Sequence, residues 1–260
     1  MRALLLAAGL GKRLQPLTNN WPKCLMPINK RPLLEYWLEI LRQQNISDIV
    51  VNTHHHSNIV KGFLNQYQYS DRVSIVYEGE LLGTAGTIRN NYSYFKDDAL
   101  LIIHADNWCC CDFSDFIAYH KNNRPKNTVM TMMTFDCETP ESCGIVKSDN
   151  DGKVVKFYEK NKEFHGRLAN AAIYIVEPEV LYWIERNPNI TDFSTHVIQN
   201  FIGRIATWKN HLIHRDIGTI KELVKSQNDN CNLVKFKFND SKWQKKFENN
   251  HVQKIIKGLA

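Results

Sequence analysis

No apolar run in the 260 residues approaches the ~18–20 that a membrane-spanning helix requires, which argues against a helical membrane span. The first residues lack the cationic start and the small-residue cleavage site of a secretory signal, so the chain is expected in the cytoplasm. Internal repeats, low-complexity tracts and Pro/Gly/Ser-rich linkers are also missing, which excludes a solenoid and loosely tethered modules. There are seven cysteines, an odd number, and no C-x-x-C among them. They are read as reduced thiols rather than as a disulfide framework or a zinc site. Cys109, Cys110 and Cys111 are adjacent, and successive strand residues point to opposite faces, so they read as small buried hydrophobes. The triple His54-His55-His56 has no carboxylate partner in sequence and reads as a loop.

The net charge of +6 is also less than it looks. From residue 235 onward, seven lysines face only Asp240 and Glu248, a local balance of +5, so the remainder carries about +1. A nucleic-acid binder needs a basic face interleaved with aromatics across its body, so no nucleic-acid partner is expected. Two familiar phosphate loops are missing as well. No G-x-x-x-x-G-K-[ST] run exists, and the dinucleotide fingerprint fails because Leu14 stands three residues after Gly11.

The composition that is present, 43% hydrophobic and 23% charged, is that of an ordinary globular chain. The first half alternates strands and helices. Strands are predicted at 3–8, 49–51, 73–77, 100–103 and 128–134, and helices at 32–44, 57–66, 84–94 and 113–121. This rhythm predicts an α/β fold, a mostly parallel sheet with helices on both faces. In such sheets ligands sit at the carboxyl ends of the strands. The second half reads differently. Asp149-Asn150-Asp151-Gly152 is a hairpin signal between short apolar runs, 169–176 is a strand, and helices are predicted at 178–186, 192–202 and 219–228. Two regions are expected: a main domain over 1–228 with a small β-rich excursion, and a basic extension over 229–260. In that extension Val252, Ile255, Ile256 and Leu259 repeat at helical spacing. Packing of this helix on the domain or on a second subunit is preferred to a membrane surface, and a homodimer is left open.

The densest chemistry follows the first strand: Gly9-x-Gly11-x-Arg13-x-x-Pro16-x-Thr18, then Pro22-Lys23. Glycine lets backbone N–H groups approach a polyanion, and Arg13 and Lys23 neutralise charge. Asp106 stands just past the strand Leu100–Ile103, where a carboxylate suits either a Mg²⁺ site or a helix N-cap. Glu78 reads either as an acceptor for a base edge or as a solvated loop residue.

The spacing of the Gly9–Lys23 segment resembles the signature of the sugar-1-phosphate nucleotidylyltransferases, also called nucleotide-sugar pyrophosphorylases, and the resemblance extends over about residues 1–225. It implies the Rossmann-like fold of that family. It also implies transfer of a nucleotidyl group from a nucleoside triphosphate to a sugar 1-phosphate, with release of pyrophosphate and with Mg²⁺ as cofactor. Arg13 and Lys23 are then the catalytic cations. Ala7, Ala8, Gly9, Gly11, Glu78 and the Leu82-Gly83-Thr84-Ala85-Gly86 segment, chiefly Gly83 and Thr84, bind the nucleotide. Asp106 and Asp216, the latter in a D-x-G-T segment, hold the metal. Gly144, Glu159, Lys160 and Asn170 face the sugar. Three departures stand on that side: Cys143 for an aromatic, Asn161 for a proline and Ala172 for a glycine.

The chain most resembles the short mannose- and heptose-1-phosphate guanylyltransferases, and a carboxylate at Glu78 would match the two donors of a guanine edge. GTP is therefore the favoured nucleotide. A uridylyl, thymidylyl or cytidylyl donor, a non-sugar phosphate acceptor, and an idle regulatory homologue stay as alternatives.

Overall fold

A computed structural model describes residues 1–66, 72–159, 166–236 and 248–259. The first half runs β1 (Arg2–Leu6), β2 (Pro27–Ile28), β3 (Arg31–Pro32), α1 (Leu33–Gln43), β4 (Ile49–Thr53), α2 (Ser57–Gln66), β5 (Val73–Tyr77), α3 (Thr84–Asn90), α4 (Tyr92–Phe95), β6 (Leu100–His104), β7 (Asn107–Cys110) and α5 (Phe113–Ala118). The second half adds β8 (Met130–Asp136), β9 (Gly144–Ser148), β10 (Val154–Glu159), β11 (Leu168–Val176), α6 (Pro178–Arg186), α7 (Ile198–Asn200), β12 (Ile205–Lys209), β13 (Ile213–Asp216), α8 (Ile220–Ser226) and α9 (His251–Leu259). The predicted class holds: a mixed α/β chain with a mostly parallel sheet flanked by helices. Among the described residues no helix is long and apolar enough to cross a membrane.

The chain divides into two compact units. One comprises Leu4–Leu81, His104–Cys111 and Ile213–Ala260. Here β1 lies beside β4, and β4 pairs in parallel with β5 from Ile49↔Val73 to Thr53↔Tyr77. Helix α1 forms because Leu33, Leu34, Trp37, Leu38 and Leu41 recur at helical spacing, and all five are buried. A separate ribbon pairs β7 with β13, with Asp216 opposite Asn107 and Ile213 opposite Cys110. The extension belongs to this unit. Val252 and Ile256 of α9 are buried while Ile255 is exposed, and Phe236 packs edge-on against Tyr36 of α1.

The second unit comprises Met1–Ala3, Leu82–Ile103 and Asp112–Leu212. Strand β11 pairs antiparallel with both β6 and β8, and β12 adds to β8 in parallel. The predicted hairpin is β9–β10, turned by Gly152 at φ +81° with Asp149 Oδ1 accepting from the Asp151 and Lys153 N–H groups. The helix predicted over 84–94 breaks at Asn91, whose Nδ2 donates to Thr87 O at 2.9 Å and competes with continuation of the helix.

The cysteine expectation fails at one pair. Cys110 and Cys231 form a disulfide with Cα atoms 5.8 Å apart, across a sequence separation of 121. Cys109 and Cys111 are buried, as expected.

Candidate active site

The loop after β1 is built from three short 3-10 turns, Lys12–Leu14, Leu17–Asn19 and Lys23–Leu25. Gly11 opens the first at φ +62°, a conformation in which a Cβ would lie 2.8 Å from Thr18 Cγ2. Thr18 in turn donates from Oγ1 to Gly11 O at 2.9 Å, which fixes the curve of the loop. A Cβ at Gly9 would meet no atom of the chain within 4 Å.

The turns bring Lys23 onto two carboxylates from distant parts of the sequence. Lys23 Nζ donates to Asp106 Oδ2 and to Asp216 Oδ1, each at 2.8 Å, and its side chain is 7% exposed. Arg13, two-thirds exposed, donates from Nη2 to Asp216 Oδ2 at 2.9 Å. Burial alone would pull the Lys23 ammonium down, but Asp106 and Asp216 outweigh burial and leave it raised above its ordinary value. Burial would likewise raise the Asp216 carboxyl, and Lys23 and then Arg13 reverse this and hold it below the usual range. The cluster thus sets two carboxylates against an ammonium and a guanidinium, with Arg13 turned to solvent. Gly218 closes over it. A Cβ there would press on Arg13 Nη2 at 2.8 Å and on the Asp216 carboxylate at 2.9–3.0 Å.

Asp229 supports the ribbon that carries the carboxylates. Its Oδ2 accepts from Trp108 Nε1 at 3.0 Å and Arg215 Nε at 2.6 Å, and its Oδ1 accepts from Arg215 Nη2 at 3.0 Å. Trp108 and Arg215 are paired across β7 and β13, next to Asn107 and Asp216. Two residues on, Cys231 is bonded to Cys110 at the far end of the same ribbon.

On the other side of the loop, Asn52 at the end of β4 links two predicted positions. Its Oδ1 accepts from Ala7 N at 2.7 Å, and its Nδ2 donates to Glu78 Oε1 at 2.9 Å. Glu78 is 4% exposed, so it is not the solvated loop residue of the alternative reading. Ala8, beside Ala7, is buried as well. His55 and His56 direct Nε2 at Thr18 O, at 3.4 and 3.1 Å, and His54 Nδ1 lies 2.8 Å from Glu78 O.

The remaining predicted positions belong to the other unit. Gly83, at φ +76°, lies so close to the Thr191 carbonyl that a Cβ would overlap it, and Thr84 Oγ1 accepts from Phe193 N at 2.7 Å. The structure therefore gives both residues a packing role against the segment 191–193. Gly144 pairs with Glu159 across the β9–β10 hairpin, and a Cβ at Gly144 would lie 2.8 Å from Glu159 Oε2. Asn170 donates from Nδ2 to Tyr174 O–H at 2.6 Å and accepts from Ala172 N at 2.9 Å. Burial pushes the Tyr174 phenol up, so it is held neutral. Ala172 sits at φ +54°, inside an irregularity of the β11–β8 register. Lys160 lies outside the described residues.

With this geometry established, comparison with known proteins places the chain. The family model for nucleotidyl transferases matches residues 2–232. The chain belongs to this family. A mannose-1-phosphate guanyltransferase from Aspergillus fumigatus is 30% identical over 230 residues, covering 86% of this chain and 62% of that protein. A UTP–glucose-1-phosphate uridylyltransferase from Synechocystis is 31% identical over 198 residues, covering 71% of this chain and 51% of that one. The chain therefore spans about three-fifths of the length of the Aspergillus relative. Among solved structures, a Bacillus anthracis chain described as a glucose-1-phosphate thymidylyltransferase, crystallised with a sucrose, superposes with TM-score 0.81 at 21% identity. It covers 94% of this chain and 99% of that one. HddC from Yersinia pseudotuberculosis gives 0.73 at 23% identity, covering 87% and 97%. Both show the shared fold.

The sequence motifs pointed to the cations and carboxylates that converge here, but not to Asn52 and Asp229, nor to how Gly218 packs. Gly218 was visible as part of the D-x-G-T segment, and its steric role emerges only with Arg13 in place. Asn52 and Asp229 carry no local signal, because their partners lie 14 to 121 residues away.

Proposed function

We propose that the chain transfers a nucleotidyl group from a nucleoside triphosphate, GTP before the others, to a sugar 1-phosphate. The observation that carries the reading is the convergence of Lys23 and Arg13 on Asp106 and Asp216. A phosphate oxygen of the sugar 1-phosphate attacks the α-phosphorus, a new P–O bond forms, and the bond to the departing pyrophosphate breaks. The nucleophile is already an anion, so no proton has to move and no covalent intermediate is needed. The task is to hold two polyanions in line and offset their charge. Lys23 is a buried, preorganised point charge suited to the α-phosphate and the sugar phosphate, and Arg13 is an exposed fork suited to the β- and γ-phosphates. Gly9 and Gly11 would supply backbone N–H donors to phosphate oxygens.

Two carboxylates without nitrogen or sulfur donors form a set suited to Mg²⁺, which takes one or two carboxylates together with phosphate oxygens and water. Among the described residues Asp106 is bonded through Oδ2. Asp106 and Asp216 would hold the ion, which when bound supplies positive charge to the phosphates. EDTA is expected to abolish turnover, and Asp106→Asn is expected to raise the Mg²⁺ concentration needed for half-maximal rate. Metal-independent turnover, or an unchanged Mg²⁺ requirement in Asp106→Asn, would contradict the assignment.

The Aspergillus relative's name supports GTP and mannose 1-phosphate. A second reading, UTP with glucose 1-phosphate, is supported by the Synechocystis relative. Glu78 contributes to either through Asn52 and Ala7, by holding the backbone that precedes the phosphate loop.

A further inference from the structure

Cys137 and Cys143 flank a short turn between β8 and β9, and their Sγ atoms lie 2.9 Å apart. A disulfide bond is about 2.05 Å long, so the sulfurs need to close by only about 0.9 Å. The turn that presents them is already formed. Cys143 N donates to Pro140 O at 3.1 Å, Ser142 N to Thr139 O at 3.0 Å, and the Thr139 and Ser142 hydroxyls are 2.9 Å apart. Cys137 is 4% exposed and packs with Ile145 and Ala169, whereas Cys143 is partly exposed. The hydrogen bond from Cys143 holds the Cys137 thiol down, at about 6, against the effect of burial. Cys24, Cys109 and Cys111 stand in contrast. All three are buried, and burial pushes Cys24 up to about 12.

We propose that Cys137 and Cys143 are a redox-active dithiol, a modification site for low-molecular-weight disulfides that is oxidised to an intramolecular disulfide. At neutral pH the pair shares one proton between two sulfurs. Cys143, the more exposed, passes its proton to Cys137 and attacks one sulfur of the small disulfide. That S–S bond breaks and one small thiolate leaves. Cys137 then gives up the proton and attacks Cys143 Sγ, which forms the internal bond and expels the second small thiol. The protein pair loses two electrons, the small disulfide gains them, and the proton leaves on one of the two small thiols.

Cys143 directly precedes Gly144. There is little room around that residue, since a Cβ on it would lie 2.6 Å from Phe157 Cζ and 2.8 Å from Glu159 Oε2. A crosslink that draws Cys143 toward Cys137 therefore reaches Gly144 and Glu159. On the proposed function these two face the sugar, and oxidation is expected to raise KM for the sugar 1-phosphate several-fold while leaving KM for the nucleotide unchanged.

The test treats the full chain with oxidised glutathione, alkylates the remaining thiols and maps the peptides by mass spectrometry. The segment holding Cys137 and Cys143 should be unlabelled and lighter by two hydrogens. Cys24, Cys109 and Cys111 should label only after unfolding, and Cys137→Ser should stall as a mixed disulfide on Cys143. Alkylation of both sulfurs in the treated wild type, or a lasting mixed disulfide there, overturns the proposal. A disulfide that forms without moving the sugar KM overturns its coupling to the site. Reduced protein without transferase activity overturns the functional reading instead and leaves the mass result standing.

Discussion

Lys23 is the ammonium on which two carboxylates converge. It is almost fully buried, yet it is charged, because two carboxylates hold it at 2.8 Å each. Removing it takes away a preorganised cation and leaves Asp106 and Asp216 facing each other without a shared counter-charge. Lys23→Ala is expected to lower kcat by roughly 10²–10³. The measurement is steady-state pyrophosphate release, beside a thermal melt that checks folding, and a folded variant with wild-type kcat would refute the role. Lys23 and Arg13 were legible in the sequence because their chemistry is local: glycine, cation and proline at fixed offsets in one loop. Asp106 was legible as a carboxylate just past a strand's carboxyl end, and Asp216 only through its resemblance to a known motif. Their convergence on one ammonium depends on segments 83 and 193 residues away from Lys23.

Strand β11 shows what a single element keeps when its residue changes. Ala172 occupies the left-handed region at φ +54°, which glycine adopts without strain and alanine does not. The Asn170 side chain holds it there by accepting from the Ala172 N–H. The backbone stays in a glycine-like conformation and the alanine bears the strain. Ala172→Gly is expected to stabilise the protein by about 0.5–1 kcal/mol. Urea unfolding at constant m-value would read this, and a destabilised Ala172→Gly would mean that the Cβ contributes packing worth more than the strain. Element positions in general followed from periodicity, as α1 and α2 did. The break of the 84–94 helix at Asn91 did not, because it is decided by one side chain competing for a backbone carbonyl.

At the scale of the whole chain, stability should depend on pH through a buried histidine. His120 is 2% exposed. Arg124 Nη1 donates to its Nε2 at 2.7 Å, and its Nδ1 lies 2.8 Å from Thr131 Oγ1, an arrangement that fits the neutral ring. Burial and then Arg124 depress it to about 4, with Glu177 pulling the other way. The unfolded ring titrates near 6.5, so its contribution is complete above that pH and is lost as pH falls toward 4. The expected loss is on the order of 2–3 kcal/mol, read by urea unfolding at pH 7, 5.5 and 4.5. His120→Gln should remove that slope, and an identical slope in both proteins would contradict the assignment. Long-range features of this kind were the least legible. The Cys110–Cys231 disulfide joins residues separated by 121 positions, and neither their spacing nor their number announced it. The measurement that tests the account most directly is pyrophosphate release by the wild-type chain in Mg²⁺. It crosses GTP, UTP, dTTP, CTP and ATP with a panel of sugar 1-phosphates. The expected result is release that requires both substrates, is greatest with GTP and mannose 1-phosphate or a related sugar phosphate, and disappears in Lys23→Ala. Release without a sugar phosphate, or none with any pair, would contradict nucleotidyl transfer at this site.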